Sequence, residues 1–125
     1  MAKEVLVLRH AEKPDDNDKS DLSQRGRIRA AALALYLPHR FGNPDYLFAA
    51  RDSVESCRPR LTLTPLSDSA KLPIDCTIAD ADFAKLASTL GSDQIRTDTT
   101  VVVAWHHGHI PLLVKRLGAS HTPDT

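Results

Sequence analysis

The chain has 125 residues, a common length for one domain, and we expect a single domain over residues 1–125. Lysine plus arginine and aspartate plus glutamate number 16 each, so the formal net charge is zero. A neutral chain has no overall attraction to nucleic acid or to an anionic membrane, and we expect neither as a partner. No apolar run approaches the roughly 20 residues that a membrane-spanning helix needs.

The first predicted element is a buried strand over Glu4–Leu8, because its residues are apolar without alternation. This run is too short for a secretory signal. The short apolar run and the two cysteines, Cys57 and Cys76, which we expect as unpaired thiols, together favour a cytoplasmic protein. Residues 13–21 are polar and charged, which indicates a solvated loop. Ser23 is a suitable N-cap for a helix that we expect to reach about Leu37. Its expected core-facing residues at helical spacing are Ile28, Ala32 and Leu35.

A second buried strand is predicted over Tyr46–Ala50, followed by a charged loop. Ser56 can cap the next helix, with Pro59 in the first turn, where a missing N–H costs least. The side chains of this helix that we expect in the core are Leu61 and Leu66. A third, short strand is predicted over Leu72–Cys76.

The last third of the chain has the clearest pattern. A helix ending at Gly91 is predicted from apolar residues at i, i+3, i+4 and i+7, namely Phe83, Leu86, Ala87 and Leu90. Thr100–Trp105 is strongly β-prone, and an amphipathic helix over 110–117 ends at Gly118. Strands that alternate with helices predict an α/β fold, a three-layer α/β/α sandwich with a small, mostly parallel sheet of about four strands.

Basic side chains follow the predicted strands. Arg9 and His10 end the first strand, Arg51 follows the second, Arg58 begins the next helix, and the segment 106–108 (His-His-Gly) follows the last strand. Ligands of parallel sheets bind beyond the carboxyl ends of the strands. Arginine matches the oxygens of a phosphate dianion, and a neutral imidazole is a competent nucleophile at phosphorus. The sequence therefore predicts a phosphate site at this edge.

Three segments, in this order, resemble the histidine phosphatase superfamily, which includes phosphoglycerate mutases and acid phosphatases. The first, residues 5–14 (VLVLRHAEKP) with 22–26 (LSQRG), is similar to the Arg-His-Gly signature and the helix start that follows it. The second, residues 56–66, is similar to the segment in which an arginine begins the second helix. The third, residues 101–111 (VVVAWHHGHIP), is similar to the strand that delivers the second histidine.

The resemblance implies a phosphoglycerate mutase-like fold over residues 1–125 and a phosphatase that needs no metal or other cofactor. It implies that His10 attacks phosphorus and is transiently phosphorylated, and that water then hydrolyses the phosphohistidine. Arg9, Arg58 and His107 would hold the phosphate oxygens. His107 is preferred to His106 as the second histidine because it directly precedes glycine, as in the family. We expect His106 either to line the wall of the pocket or to pair with the loop. The implied substrate is a phosphorylated small molecule or a phosphoprotein.

The sequence departs from the family pattern at three points. Ala11 stands where the family has glycine, which adds a methyl group beside the pocket. The proton donor to the leaving group is not evident, and Glu12 is the first candidate, with Glu55 and Asp82 as others. The chain ends at Thr125, soon after the last predicted helix, where family members usually continue into further structure.

Other functions fit some of the same residues. A phosphoglycerate mutase-like phosphotransferase would return the phosphoryl group to another oxygen of the substrate. A non-catalytic module would keep the phosphate pocket without turnover. A metal site is a further alternative for the three histidines of the third segment, but the sequence offers them no carboxylate or cysteine partner at a typical spacing. These histidines are His106, His107 and His109.

Overall fold

The structure is a computed structural model that describes residues 4–10, 22–53 and 56–118. Its elements, in chain order, are β1 (Glu4–Arg9), α1 (Gln24–Phe41), β2 (Tyr46–Ala49), α2 (Arg58–Ala70), β3 (Ile74–Asp75), a 3₁₀ turn (Asp80–Asp82), α3 (Phe83–Leu90), β4 (Thr100–Trp105) and α4 (Ile110–Leu117). Strands and helices alternate as the sequence predicts. None of the described helices is long and apolar enough to cross a membrane.

The four strands form one sheet in the order β1-β4-β2-β3, and every neighbouring pair is parallel. Six residue pairs join β1 to β4, from Glu4 with Thr100 to Arg9 with Trp105. The predicted parallel sheet is therefore confirmed. Parallel pairing also means that the carboxyl ends of all four strands lie at one edge, as a shared ligand site requires.

Helices cover both faces of this sheet. Alternate side chains of the central strand β4 point to opposite faces, as the pleat requires. Val101, Val103 and Trp105 pack with Leu86 of α3 and Leu113 of α4. The other face packs against α1 and α2, through Val102, Ala104, Leu37, Leu63 and Leu66. The three-layer α/β/α sandwich is thus confirmed.

The core-facing side of α1 differs from the prediction. Ile28 and Leu35, expected in the core, are 64% and 79% exposed, and Ala32 is exposed as well. The buried positions are instead Ala30 and Leu37. The prediction was wrong because α1 carries apolar residues on both of its faces, so spacing alone does not select the buried one.

The end of α1 also differs, since the helix continues through Pro38 to Phe41 rather than stopping at Leu37. Leu37 is 2% exposed and Phe41 packs against the same cluster, so burial on both sides of the proline offsets the hydrogen bond that it cannot donate. The helix ends where Gly42 adopts a φ of 85° and donates its N–H to the Pro38 carbonyl at 2.9 Å. That conformation favours glycine.

The remaining elements lie close to their predicted positions. α3, β4 and α4 have the predicted bounds, and α2 continues through Pro65. β3 has only two of the five residues that the sequence suggested, because it pairs with β2 alone at the edge of the sheet. Leu66 is buried as expected and Leu61 is half-buried. Cys57 and Cys76 are not joined in a disulfide bond.

Candidate active site

The register of β1 with β4 brings two histidines together. Arg9 and Trp105 are the last paired residues, and the His10 N–H donates to the Trp105 carbonyl at 3.1 Å. The next residue of each strand is a histidine, so His10 and His106 leave the sheet side by side. Their ring centroids lie 5.0 Å apart, with an angle of 71° between the ring planes. Equal strand lengths are therefore the reason that these two imidazoles are in contact.

On its other side, His106 has Arg51 as a neighbour. β4 also pairs with β2, up to Ala49 with Ala104, and the Ala50 N–H extends the ladder to the Ala104 carbonyl at 3.1 Å. Arg51 comes next, and its N–H donates to the Ile78 carbonyl at 2.8 Å. This bond draws the segment between β3 and α3 up to the same edge of the sheet.

A cavity of about 430 Å³ opens at this edge. Its described lining residues are Arg51, Asp52, Ser53, Ser56, Arg58, Ala79, Asp80, Ala81 and His106. The side chains include two arginines, one imidazole and two hydroxyls, which together suit an anion with several oxygens. His10 adjoins the cavity through its ring contact with His106.

The N-terminus of α2 faces this cavity. The Ser56 hydroxyl oxygen accepts the Arg58 N–H at 3.1 Å, so this serine satisfies one of the donors that begin the helix. Arg58 is the first residue of α2, is half-buried, and has its side-chain Nε buried. A helix N-terminus carries partial positive charge, which adds to that of the guanidinium. At the cavity rim, Arg60 and Asp52 form an ion pair at 2.9 Å.

Asp80 is a lining residue that sequence reasoning missed. Its carboxylate Oδ2 lies 2.8 Å from Nδ1 of His109, and its carbonyl accepts the indole N–H of Trp105 at 3.1 Å. The other carboxylate oxygen, Oδ1, is buried and has no hydrogen-bond partner among the described residues. No pattern in the sequence distinguishes Asp80 from Asp82. The parallel pairing of β3 with β2 is what places it here.

Other residues singled out in the sequence lie elsewhere. His107 and Arg9 are exposed, and neither is among the described residues that line the cavity. The structure thus places His106, not His107, against His10. Glu12 and Glu55 lie outside the described residues, while Asp82 is exposed in the 3₁₀ turn. Within the described ranges, no three His, Cys, Asp or Glu side chains are grouped as a metal ion would require.

Burial lowers the pKa of His106 below its ordinary value of 6.5. The Arg58 cation lowers this pKa further, as do His107 and His109, whereas the Asp80 carboxylate acts in the opposite direction. His106 is therefore neutral near pH 7 and can donate one ring N–H to a bound anion. These influences also show that Arg58 and Asp80 lie within electrostatic reach of the imidazole.

The lowered pKa of His106 predicts how stability depends on pH. Well above pH 6.5 the histidine is neutral in both the folded and the unfolded chain, so it contributes no pH dependence there. As pH falls below 6.5, the unfolded chain binds this proton more readily, and the free energy of unfolding falls. We expect the difference in this free energy between the native chain and His106→Asn to shrink from pH 7.5 to pH 5.5 in urea titrations. A difference that stays constant over this range would contradict the prediction.

Comparison with solved structures gives matches along nearly the whole chain. The protein histidine phosphatase SixA, solved with tungstate, superposes with a TM-score of 0.64 at 18% identity, covering 97% of this chain and 80% of SixA. A mycobacterial glucosyl-3-phosphoglycerate phosphatase, solved with inorganic phosphate, gives a TM-score of 0.57 at 19% identity, covering 91% of this chain and 76% of the phosphatase. This chain has the fold of the histidine phosphatase superfamily. No protein-family model and no curated protein sequence matches the chain.

In this fold, the three sequence segments bring one basic residue each to the same edge of the sheet. His106 directly follows β4 and Arg58 begins α2, and both line the cavity, while His10 directly follows β1 and contacts His106. At identities of 18–19% the superpositions establish the architecture alone. The chemistry of this chain depends on its own side chains.

Proposed function

We propose that this chain is a phosphatase that hydrolyses a phosphomonoester or a phosphoprotein through a phosphohistidine at His10. The observation that carries the proposal is the ring contact of His10 with His106, which lines a cavity together with Arg51, Arg58 and Asp80. Two neighbours of the same fold are phosphatases, one solved with phosphate and the other with tungstate. Because the SixA neighbour is a protein histidine phosphatase, protein-bound phosphohistidine is one of the candidate substrates.

In the first step, a ring nitrogen of His10 attacks phosphorus, and the bond from phosphorus to the leaving oxygen breaks. Arg58 and the N-terminus of α2 stabilise the charge on the phosphoryl oxygens. The neutral His106 donates a further hydrogen bond to them. His106 thus takes the role that the resemblance gave to His107, because only His106 combines contact with His10 and a place in the cavity wall. Arg9 stays a proposed phosphate ligand from the sequence.

The leaving oxygen needs a proton, and Asp80 is the described carboxyl group that both lines the cavity and lies near His106. We assign the transfer of this proton to Asp80, in place of Glu12. In the second step, water attacks the phosphohistidine, the bond from phosphorus to nitrogen breaks, and Asp80 takes a proton from the water. The sum is hydrolysis of the phosphomonoester to an alcohol and inorganic phosphate, with His10 and Asp80 restored.

The test is hydrolysis of p-nitrophenyl phosphate by the purified chain in the presence of EDTA. We expect turnover that EDTA does not abolish. Quenching with alkali, under which phosphohistidine survives, and peptide mapping by mass spectrometry are expected to place a phosphoryl group on His10. His39→Asn, a change on the exposed side of α1, serves as a matched histidine control and is expected to retain both results.

Three results would contradict the proposal. Binding of phosphate without turnover of any substrate tested would favour the non-catalytic module. Turnover with the phosphoryl group on a residue other than His10 would favour a different nucleophile. Transfer of the group to a second hydroxyl of the substrate, rather than to water, would identify a phosphotransferase.

A further inference from the structure

The side chain of Asp80 is bound by a histidine from a distant part of the chain. Nδ1 of His109, in the turn that leads from β4 into α4, lies 2.8 Å from Oδ2 of Asp80 in the 3₁₀ turn before α3. Both side chains are about one-third exposed, at 34% and 32%. The bond therefore joins the two loops that follow β3 and β4 at the edge of the cavity.

Each partner of this bond is held by a second contact. The His109 ring stacks on the Phe83 ring, with centroids 5.4 Å apart and planes 25° apart. The guanidinium of Arg116, in α4, lies over the Phe83 ring, 5.7 Å from its centroid. The fully buried Trp105 donates its indole N–H to the Asp80 carbonyl. The carboxyl group is thus oriented by both its backbone and its imidazole partner.

We propose that His109 is a positioning residue that holds the Asp80 carboxyl group in one orientation at the cavity wall. This inference rests on the proposed function. With His109 donating its Nδ1–H to Oδ2 and with Oδ1 buried, the Asp80 carboxyl group is held on both of its oxygens. A fixed carboxyl orientation is what efficient proton transfer requires.

The proton balance follows from this arrangement. When the bond between phosphorus and the leaving oxygen breaks, the Asp80 carboxyl group gives its proton to that oxygen and becomes a carboxylate. The His109 N–H stabilises the new negative charge through Oδ2. When water attacks the phosphohistidine, the Asp80 carboxylate takes one proton from it and the acid form returns. His109 keeps its own proton throughout.

The test compares His109→Leu with His109→Asn on two substrates. p-Nitrophenol is a much stronger acid than phenol, so p-nitrophenyl phosphate needs little help from a proton donor, whereas phenyl phosphate needs it. We expect His109→Leu to lower kcat/KM for phenyl phosphate about 10- to 100-fold, and that for p-nitrophenyl phosphate no more than about threefold. Asparagine can place a side-chain N–H near the position of Nδ1 and is expected to recover most of the loss.

The controls separate this inference from the proposed function. Lys115→Leu, an exposed change on α4, is expected to leave both substrates unaffected. If His109→Leu does not fold, His109→Ala replaces it in the same comparison. Equal losses on both substrates, or no loss on either, would overturn the positioning role while leaving the proposed function intact. An inactive native chain would instead overturn the proposed function.

Discussion

Replacing His10 with asparagine is expected to lower kcat/KM for p-nitrophenyl phosphate by at least ~10⁴-fold, the scale of losing a nucleophile. The amide cannot form a stable bond to phosphorus, so no phosphoenzyme accumulates. The backbone N–H that His10 donates to the Trp105 carbonyl is retained, and the fold is expected to persist. Steady-state kinetics and mass spectrometry of the quenched protein measure the two effects.

Phosphate binding gives this variant an independent control. Arg58, His106 and the N-terminus of α2 are unchanged in His10→Asn, so inorganic phosphate is expected to raise its melting temperature much as it does for the native chain. Loss of activity together with loss of this stabilisation would indicate a damaged cavity rather than a missing nucleophile. Residual activity within about tenfold of the native chain would exclude His10 as the attacking group.

Substituting His106 is expected to lower activity strongly, whereas substituting its sequence neighbour His107 is expected to lower it little. His106→Asn is expected to lower kcat/KM about 10²- to 10³-fold, the usual effect of removing one donor to transition-state charge. His107→Asn is expected to stay within about threefold of the native chain, because an exposed residue outside the cavity lining adds only weak, screened interactions. Kinetics with p-nitrophenyl phosphate at pH 7 measure both variants.

Comparing these two variants decides whether His106 or His107 is the second histidine of the site. The motif favoured His107, since a glycine follows it, whereas the ring contact and the cavity wall favour His106. A large loss of kcat/KM in His107→Asn with a small loss in His106→Asn would support His107, the residue that the motif favours. It would also mean that the residues after β4 rearrange when substrate binds.

The register of β1 with β4 selects His106, and the sequence alone does not give that register. β1 and β4 are equal in length, and each is followed directly by a histidine. Pairing the two strands in register therefore places His10 beside His106 and leaves His107 one residue beyond the sheet. A histidine followed by a glycine says nothing about how two strands are paired, so the motif favoured His107.

Sequence reasoning succeeded where burial imposes one solution and failed where it does not. A continuous apolar strand such as β4 suits only a sheet covered on both faces. α1 offered two apolar stripes, and only the packing of Leu37 against α2 and the sheet distinguishes them. Asp80 could not be found from the chain alone, since its place depends on the backbone bond from Arg51 to Ile78.

The order of the sheet has a consequence for folding. β4, the last of the described strands, lies between β1 and β2, so until β4 is inserted β1 has no described strand neighbour and β2 has only β3. Such long-range parallel pairing is slow, because the entropy of closing a large loop is lost before contacts form. His10 and Arg51, both present early in synthesis, become part of one site only when β4 arrives. A ribosome-bound chain that lacks β4 is therefore expected to have no active cavity, and a late folding step would switch on the activity.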